Sequence, residues 1–129
     1  MKPRASSDKR PVNLDIGSMR LPITAYVSIS HRLSGVFLFL VSGVLVWALD
    51  ASLRSEEGFA MVVSATGSAP VKALIWVMAS ALTYHSLAGV KHLIMDLGFG
   101  ETMAGGVLGA RIVIALAALG AAGWGVILW

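Results

Sequence analysis

Three stretches too apolar to lie in water dominate this sequence. Leu33–Leu49 and Ile112–Trp129 carry no charged side chain, and Val71–Val90 carries only Lys72, at its edge. At a rise of about 1.5 Å per residue the first stretch alone reaches roughly 26 Å as a helix, and with the turn before it crosses a hydrocarbon core of about 30 Å. Only 13% of the 129 residues are charged and the mean hydropathy is +0.80, whereas about a quarter of the residues of a soluble domain are charged. The sequence therefore predicts an all-α membrane protein with a basic segment over 1–20 and a single transmembrane domain over 21–129, its helices at about 22–49, 70–95 and 106–129.

Local signals mark the ends of these helices. Pro22 suits the opening turn of the first, where a missing N–H costs no helical bond, and Asp50 marks its emergence into water. The next twenty residues read as a loop, within which Ser55-Glu56-Glu57 resembles an N-cap followed by acidic first-turn residues, predicting a short surface helix through Val63. Thr66-Gly67-Ser68-Ala69-Pro70 is a breaker cluster that places a proline at the start of helix two. A Gly98-Phe99-Gly100 turn separates helix two from helix three.

Charge asymmetry sets an expected orientation. The N-terminal segment holds Lys2, Arg4, Lys9, Arg10 and Arg20, with Arg32 close behind, while the first inter-helix loop offers Arg54 and Lys72 beside Asp50, Glu56 and Glu57. Basic residues stay cytoplasmic, so the N-terminus is expected inside and the C-terminus outside. Trp47, Trp76, Trp124 and Trp129 then fall at the outer boundary, as an aromatic belt would. No short apolar core ending in a small-residue cleavage site stands near the start, so no cleaved signal is expected. The basic residues crowd the N-terminus instead of forming a stripe interleaved with aromatics, which argues against a nucleic-acid partner and for a lipid bilayer.

With no cysteine, disulfides, thiolate metal sites and cysteine-held clusters are excluded, and the three histidines are the natural soft ligands. His85 lies six residues before Lys91, about 9 Å inside the boundary. An ionisable group at that depth is costly unless it faces a partner, a cavity or a cofactor. A histidine hydrogen-bonded to a neighbouring helix carbonyl would satisfy the same constraint. Gly89 and His92 follow His85 on one face, and a glycine one turn away lets a flat ring approach the backbone, although glycines in membrane helices also serve plain packing. Ser28, Arg32 and Gly35 share a stripe beside His31 where helix one enters the membrane. Arg32 either snorkels to the interface or acts with Ser28 above His85, holding haem propionates or a quinone carbonyl. A six-coordinate b-type haem needs two axial ligands, so one deep histidine implies a partner subunit, with His31 as the lower-ranked alternative. Ala117, Ala121 and Gly125, with Gly105 and Gly109 before them, read as helix-packing scaffold.

At these residues the chain resembles the cytochrome b-type membrane subunit of bacterial succinate dehydrogenase. The resemblance rests on Arg10-Pro11-Val12-Asn13-Leu14-Asp15, Leu21-Pro22-Ile23-Thr24-Ala25, Ser28 through Gly35, Ser55 through Phe59, and Tyr84-His85 through His92 to Asp96. It departs from the family at Ser30, where an aliphatic residue is usual. The resemblance implies that the chain forms half of a heterodimeric haem-binding helical bundle, with His85 an axial ligand of haem b and the other ligand supplied by a second small anchor subunit. It further implies that Ser28 and Arg32 line the ubiquinone site, that His31 and Arg32 lie near the haem propionates, and that Asp96 is a candidate for proton delivery. A flavoprotein subunit and an iron–sulfur subunit would complete the enzyme in the bacterial inner membrane, and this chain alone would not oxidise succinate. The alternatives are a fumarate reductase anchor of similar architecture and a haem-free structural anchor in which His85 only packs.

Overall fold

The computed structural model describes residues 19–129. The segment carrying Lys2, Arg4, Lys9 and Arg10, and the stretch from Arg10 to Asp15, lie outside the described residues. Four helices follow in order: α1 (Ile23–Arg54), α2 (Glu56–Thr66), α3 (Ala69–Asp96) and α4 (Met103–Leu128). Of these, α1, α3 and α4 are long and apolar enough to cross a membrane. Helices suit that solvent because they satisfy each backbone polar group within the segment.

Helix α1 opens directly after Pro22, whose carbonyl accepts from Ala25 N–H at 2.9 Å. It runs to Arg54, five residues beyond the expected exit at Leu49, because Asp50 does not break a helix. Asp50 instead pairs with Arg54 one turn on, at 2.6 Å on the exposed surface. Ser55 ends α1 by turning extended, and its hydroxyl caps α2 by accepting from Gly58 N–H at 3.0 Å. The corner is tight, since a Cβ on Gly58 would collide with the Ala51 carbonyl. The expected loop is therefore mostly helix, and α2 continues to Thr66, three residues past Val63. Gly98 and Gly100, at φ 88° and 75°, make the turn out of α3. Thr102 then caps α4 by accepting from Gly105 N–H at 3.1 Å.

Among the described residues the buried core is a small layer in which Val27 of α1, Ala88 of α3, and Ala110 and Val113 of α4 meet, flanked by Ile23, Tyr84 and Leu87. Most other large apolar side chains face outward, as with Phe39 at 77% and Val126 at 83% exposure. A continuous apolar surface of that kind belongs in lipid. The most extensive helix contact is between α3 and α4, and small residues permit it. An added Cβ on Gly120 would lie 2.8 Å from Thr83 Cγ2, and one on Gly109 would lie 3.3 Å from Lys91 Cε. At the same interface Trp76 Nε1–H donates to the Ala121 carbonyl at 2.8 Å and Trp124 Nε1–H to Thr83 Oγ1 at 3.0 Å. Two of the four tryptophans thus tie helices together with the polar handle that a membrane belt would direct to the interface. Gly120→Ala is expected to destabilise the protein by about 1–3 kcal/mol more than Gly123→Ala, as overpacking does. Thermal melting in detergent measures the difference, and the control shares the backbone change while having open space around its Cβ.

Candidate functional site

Helices α1 and α3 meet through their histidines. The rings of His31 and His85 stack with centroids 4.2 Å apart at 19°, and His92 lies on the other side of His31 at 5.2 Å and 19°. Glycine makes the approach possible on both helices. A Cβ on Gly35 would sit 3.0 Å from His85 Cε1, and one on Gly89 would sit 3.5 Å from His31 Nε2. Each helix therefore carries a histidine followed four residues later by a glycine that receives the ring of the other. Gly89 does admit a flat ring, and that ring is an imidazole of the same chain.

Hydrogen bonds assign the ring atoms. His85 Nδ1 lies 3.1 Å from the His31 carbonyl and 3.0 Å from Ser34 Oγ. A carbonyl oxygen only accepts, so Nδ1 carries the hydrogen and Nε2 keeps its lone pair. Ser34 agrees with this tautomer, because its hydroxyl donates to the His31 carbonyl at 2.8 Å and its oxygen is left to accept. His92 Nδ1–H donates to the Ala88 carbonyl at 2.7 Å. His31 Nε2 is buried without a hydrogen-bond partner among the described residues. One helical turn away, the Tyr84 hydroxyl donates to the Val27 carbonyl at 2.8 Å and clamps the same pair of helices.

The stack is not a chelate. Lone pairs lie in the ring planes, so parallel rings do not converge on one ion, and no group of three or more His, Cys, Asp or Glu side chains suited to a metal occurs among the described residues. His85 can offer one nitrogen to a metal whose other ligands come from elsewhere. Ser28 is half-buried on the flank of α1 next to the stack, and Arg32 is exposed one residue past His31 with no ion pair among the described residues. Asp96 ends α3, exposed and one turn beyond His92, and the structure does not bring it to the stack. An open apolar groove of about 390 Å³ lies apart from these residues, between α3 and α4, where the Lys91 stem crosses Gly109. Sequence reasoning missed Ser34. Its position three residues after His31 signals back-bonding to that carbonyl, but only the placement of α3 shows what its oxygen meets.

The fold and site define an all-α, multi-pass membrane protein whose first two spanning helices are joined through histidines. Residues 6–123 match the family model described as succinate dehydrogenase/fumarate reductase transmembrane subunit, and the chain belongs to that family. It is similar to the succinate dehydrogenase cytochrome b556 subunit of Coxiella burnetii, 36% identical over 94% of this chain and 98% of the relative. It is also similar to the cytochrome b556 subunit of Paracoccus denitrificans, at 35% over 70% of each chain. The mitochondrial cytochrome b560 subunit of Mus musculus is 30% identical over 92% of this chain and 71% of its own length.

Tyr84→Phe removes one inter-helix hydrogen bond while keeping the ring. It is expected to cost about 0.5–1.5 kcal/mol, seen as a lower melting temperature with the helix content unchanged by circular dichroism.

Proposed function

We propose that this chain is the haem b- and ubiquinone-binding membrane anchor of a succinate:quinone oxidoreductase, passing electrons from succinate oxidation to ubiquinone. The observation that carries this reading is the hydrogen-bonded state of His85. Its Nδ1–H is held by the His31 carbonyl and Ser34 Oγ, which leaves Nε2 as a preset ligand atom within the membrane, the usual arrangement for a metal-binding histidine. The donor set fits a haem iron, because a single imidazole nitrogen suffices where the porphyrin supplies four and a second subunit the sixth. The names of the relatives, cytochrome b556 and b560, favour the same group. Haem b, when bound, supplies a one-electron carrier.

The remaining roles belong to side chains at the inner membrane boundary. Ser28 donates a hydrogen bond to a quinone oxygen. Arg32, a permanent planar cation free of any ion pair among the described residues, stabilises negative charge on that oxygen as two electrons and two protons convert ubiquinone to ubiquinol. His31 and Arg32 would also serve the propionates of a bound haem, and Asp96, at the end of α3, is the candidate for proton delivery. Residues 21–129 act as one transmembrane domain behind a basic cytoplasmic segment over 1–20, with the C-terminus periplasmic in the bacterial inner membrane. A second small anchor subunit, an iron–sulfur subunit and a flavoprotein subunit complete the enzyme. The family covers fumarate reductases as well, and the relatives cited, all succinate dehydrogenase subunits, favour succinate oxidation.

In the purified complex, His85→Ala is expected to abolish the b-type band of the reduced-minus-oxidised spectrum or to leave five-coordinate haem. An unchanged band would move the ligand to another residue, His31 first. Arg32→Ala is expected to lower succinate:quinone reductase activity by about a hundredfold, the scale of losing one oxyanion donor. Succinate oxidation with a soluble artificial acceptor should stay intact, and equal loss of both activities would remove Arg32 from the quinone site.

A further inference from the structure

Three serines of α1 return a hydroxyl to the carbonyl three residues earlier: Ser34 to His31 at 2.8 Å, Ser42 to Phe39 at 2.6 Å and Ser52 to Leu49 at 2.7 Å. Such back-bonding is the common resting state of a serine in a helix. For Ser42 and Ser52 it is the whole account, since both bonds lie on the exposed surface. Ser34 differs, because the same bond turns its oxygen toward another helix, where it lies 3.0 Å from His85 Nδ1, 51 residues away in sequence.

We propose that Ser34 is a positioning residue that sets the electron-donating strength of His85 toward iron, an inference that rests on the haem reading above. The hydroxyl gives its hydrogen to the His31 carbonyl, so its oxygen is locked as an acceptor and strengthened as one. His85 Nδ1–H is thereby shared between two acceptors, Ser34 Oγ and the His31 carbonyl. Drawing that hydrogen outward raises electron density at Nε2 and makes the imidazole a more basic ligand, as outer partners of metal-bound histidines do. A more basic ligand favours ferric over ferrous iron, so Ser34 holds the haem potential down. It also holds the ring in plane against Gly35, whose Cβ, if present, would stand 3.0 Å from Cε1. Removing the hydroxyl leaves Nδ1–H with the carbonyl alone, and His85 remains a ligand, but a weaker one.

The test is a potentiometric titration of the b-type band in the assembled, purified complex. Ser34→Ala is expected to shift the reduction equilibrium about tenfold toward ferrous haem, a rise of about 59 mV for one electron, with a low-spin six-coordinate spectrum retained. Ser34→Thr, which restores the hydroxyl, should return the native potential, and Ser42→Ala, which removes the same backbone bond on the exposed face, should not move it. Loss of haem from Ser34→Ala with retention in Ser34→Thr would also support the role. A native potential in Ser34→Ala, or a Ser34→Thr complex that behaves as Ser34→Ala does, would overturn it. Ligation by His85 is tested apart from this: an unchanged six-coordinate band in His85→Ala overturns both that ligation and the role of Ser34, whereas a band lost or turned five-coordinate in His85→Ala beside an unmoved potential in Ser34→Ala overturns only the role of Ser34.

Discussion

Apolar side chains gain nothing from leaving lipid for one another, so helices in this chain cannot be held together as a soluble bundle is. What remains is close packing and a small number of hydrogen bonds, and the structure uses both at the same places. Gly35 and Gly89 bring α1 and α3 together where His85 and Tyr84 bond to α1. Gly120 brings α4 onto α3 beside Thr83, which accepts from Trp124. Gly35 and Gly120 remove the volume that would keep His85 and Thr83 from their partners, and Gly89 admits the ring of His31. Packing and hydrogen bonding are therefore one device here.

That device also explains how a histidine inside the membrane keeps one ring nitrogen free while the other is bonded. Buried imidazole nitrogens need partners, and His85 satisfies one of them with a carbonyl and a hydroxyl of α1. The same bond that ties α3 to α1 decides which nitrogen keeps its lone pair. Structural anchoring and the choice of tautomer are thus carried by one ring. His31 completes the arrangement by stacking on His85 while lending its own carbonyl to the bond.

Much of the fold was legible from residues alone. Uncharged length marks a spanning helix whatever its neighbours, and Ser55 with Glu56 and Glu57 announced α2 because capping is a local transaction between a side chain and the next turn's N–H. The extent of α1 past Asp50 was not legible, since an aspartate at a membrane exit is equally compatible with helix and loop. The packing role expected of the small residues on α4 holds at Gly109, against the Lys91 stem of α3, and at Gly125, against Trp76 of α3. Ala121 adds its carbonyl to that contact by accepting from Trp76, and Gly106 and Gly120, which were not singled out, make further close contacts with Thr24 of α1 and Thr83 of α3.

By itself the sequence determined that three helices cross a membrane, that His85 lies within it, and that glycines stand one turn beyond both His31 and His85. Tertiary structure alone decided that these two histidines face each other, that His92 joins them, and that Ser34 completes the hydrogen bonding of His85. The physical reason is rotational. In a soluble helix the apolar stripe shows which face is inward, but a helix apolar on every side carries no such mark, so spacing along the chain names the residues of a face without naming the helix that face will meet.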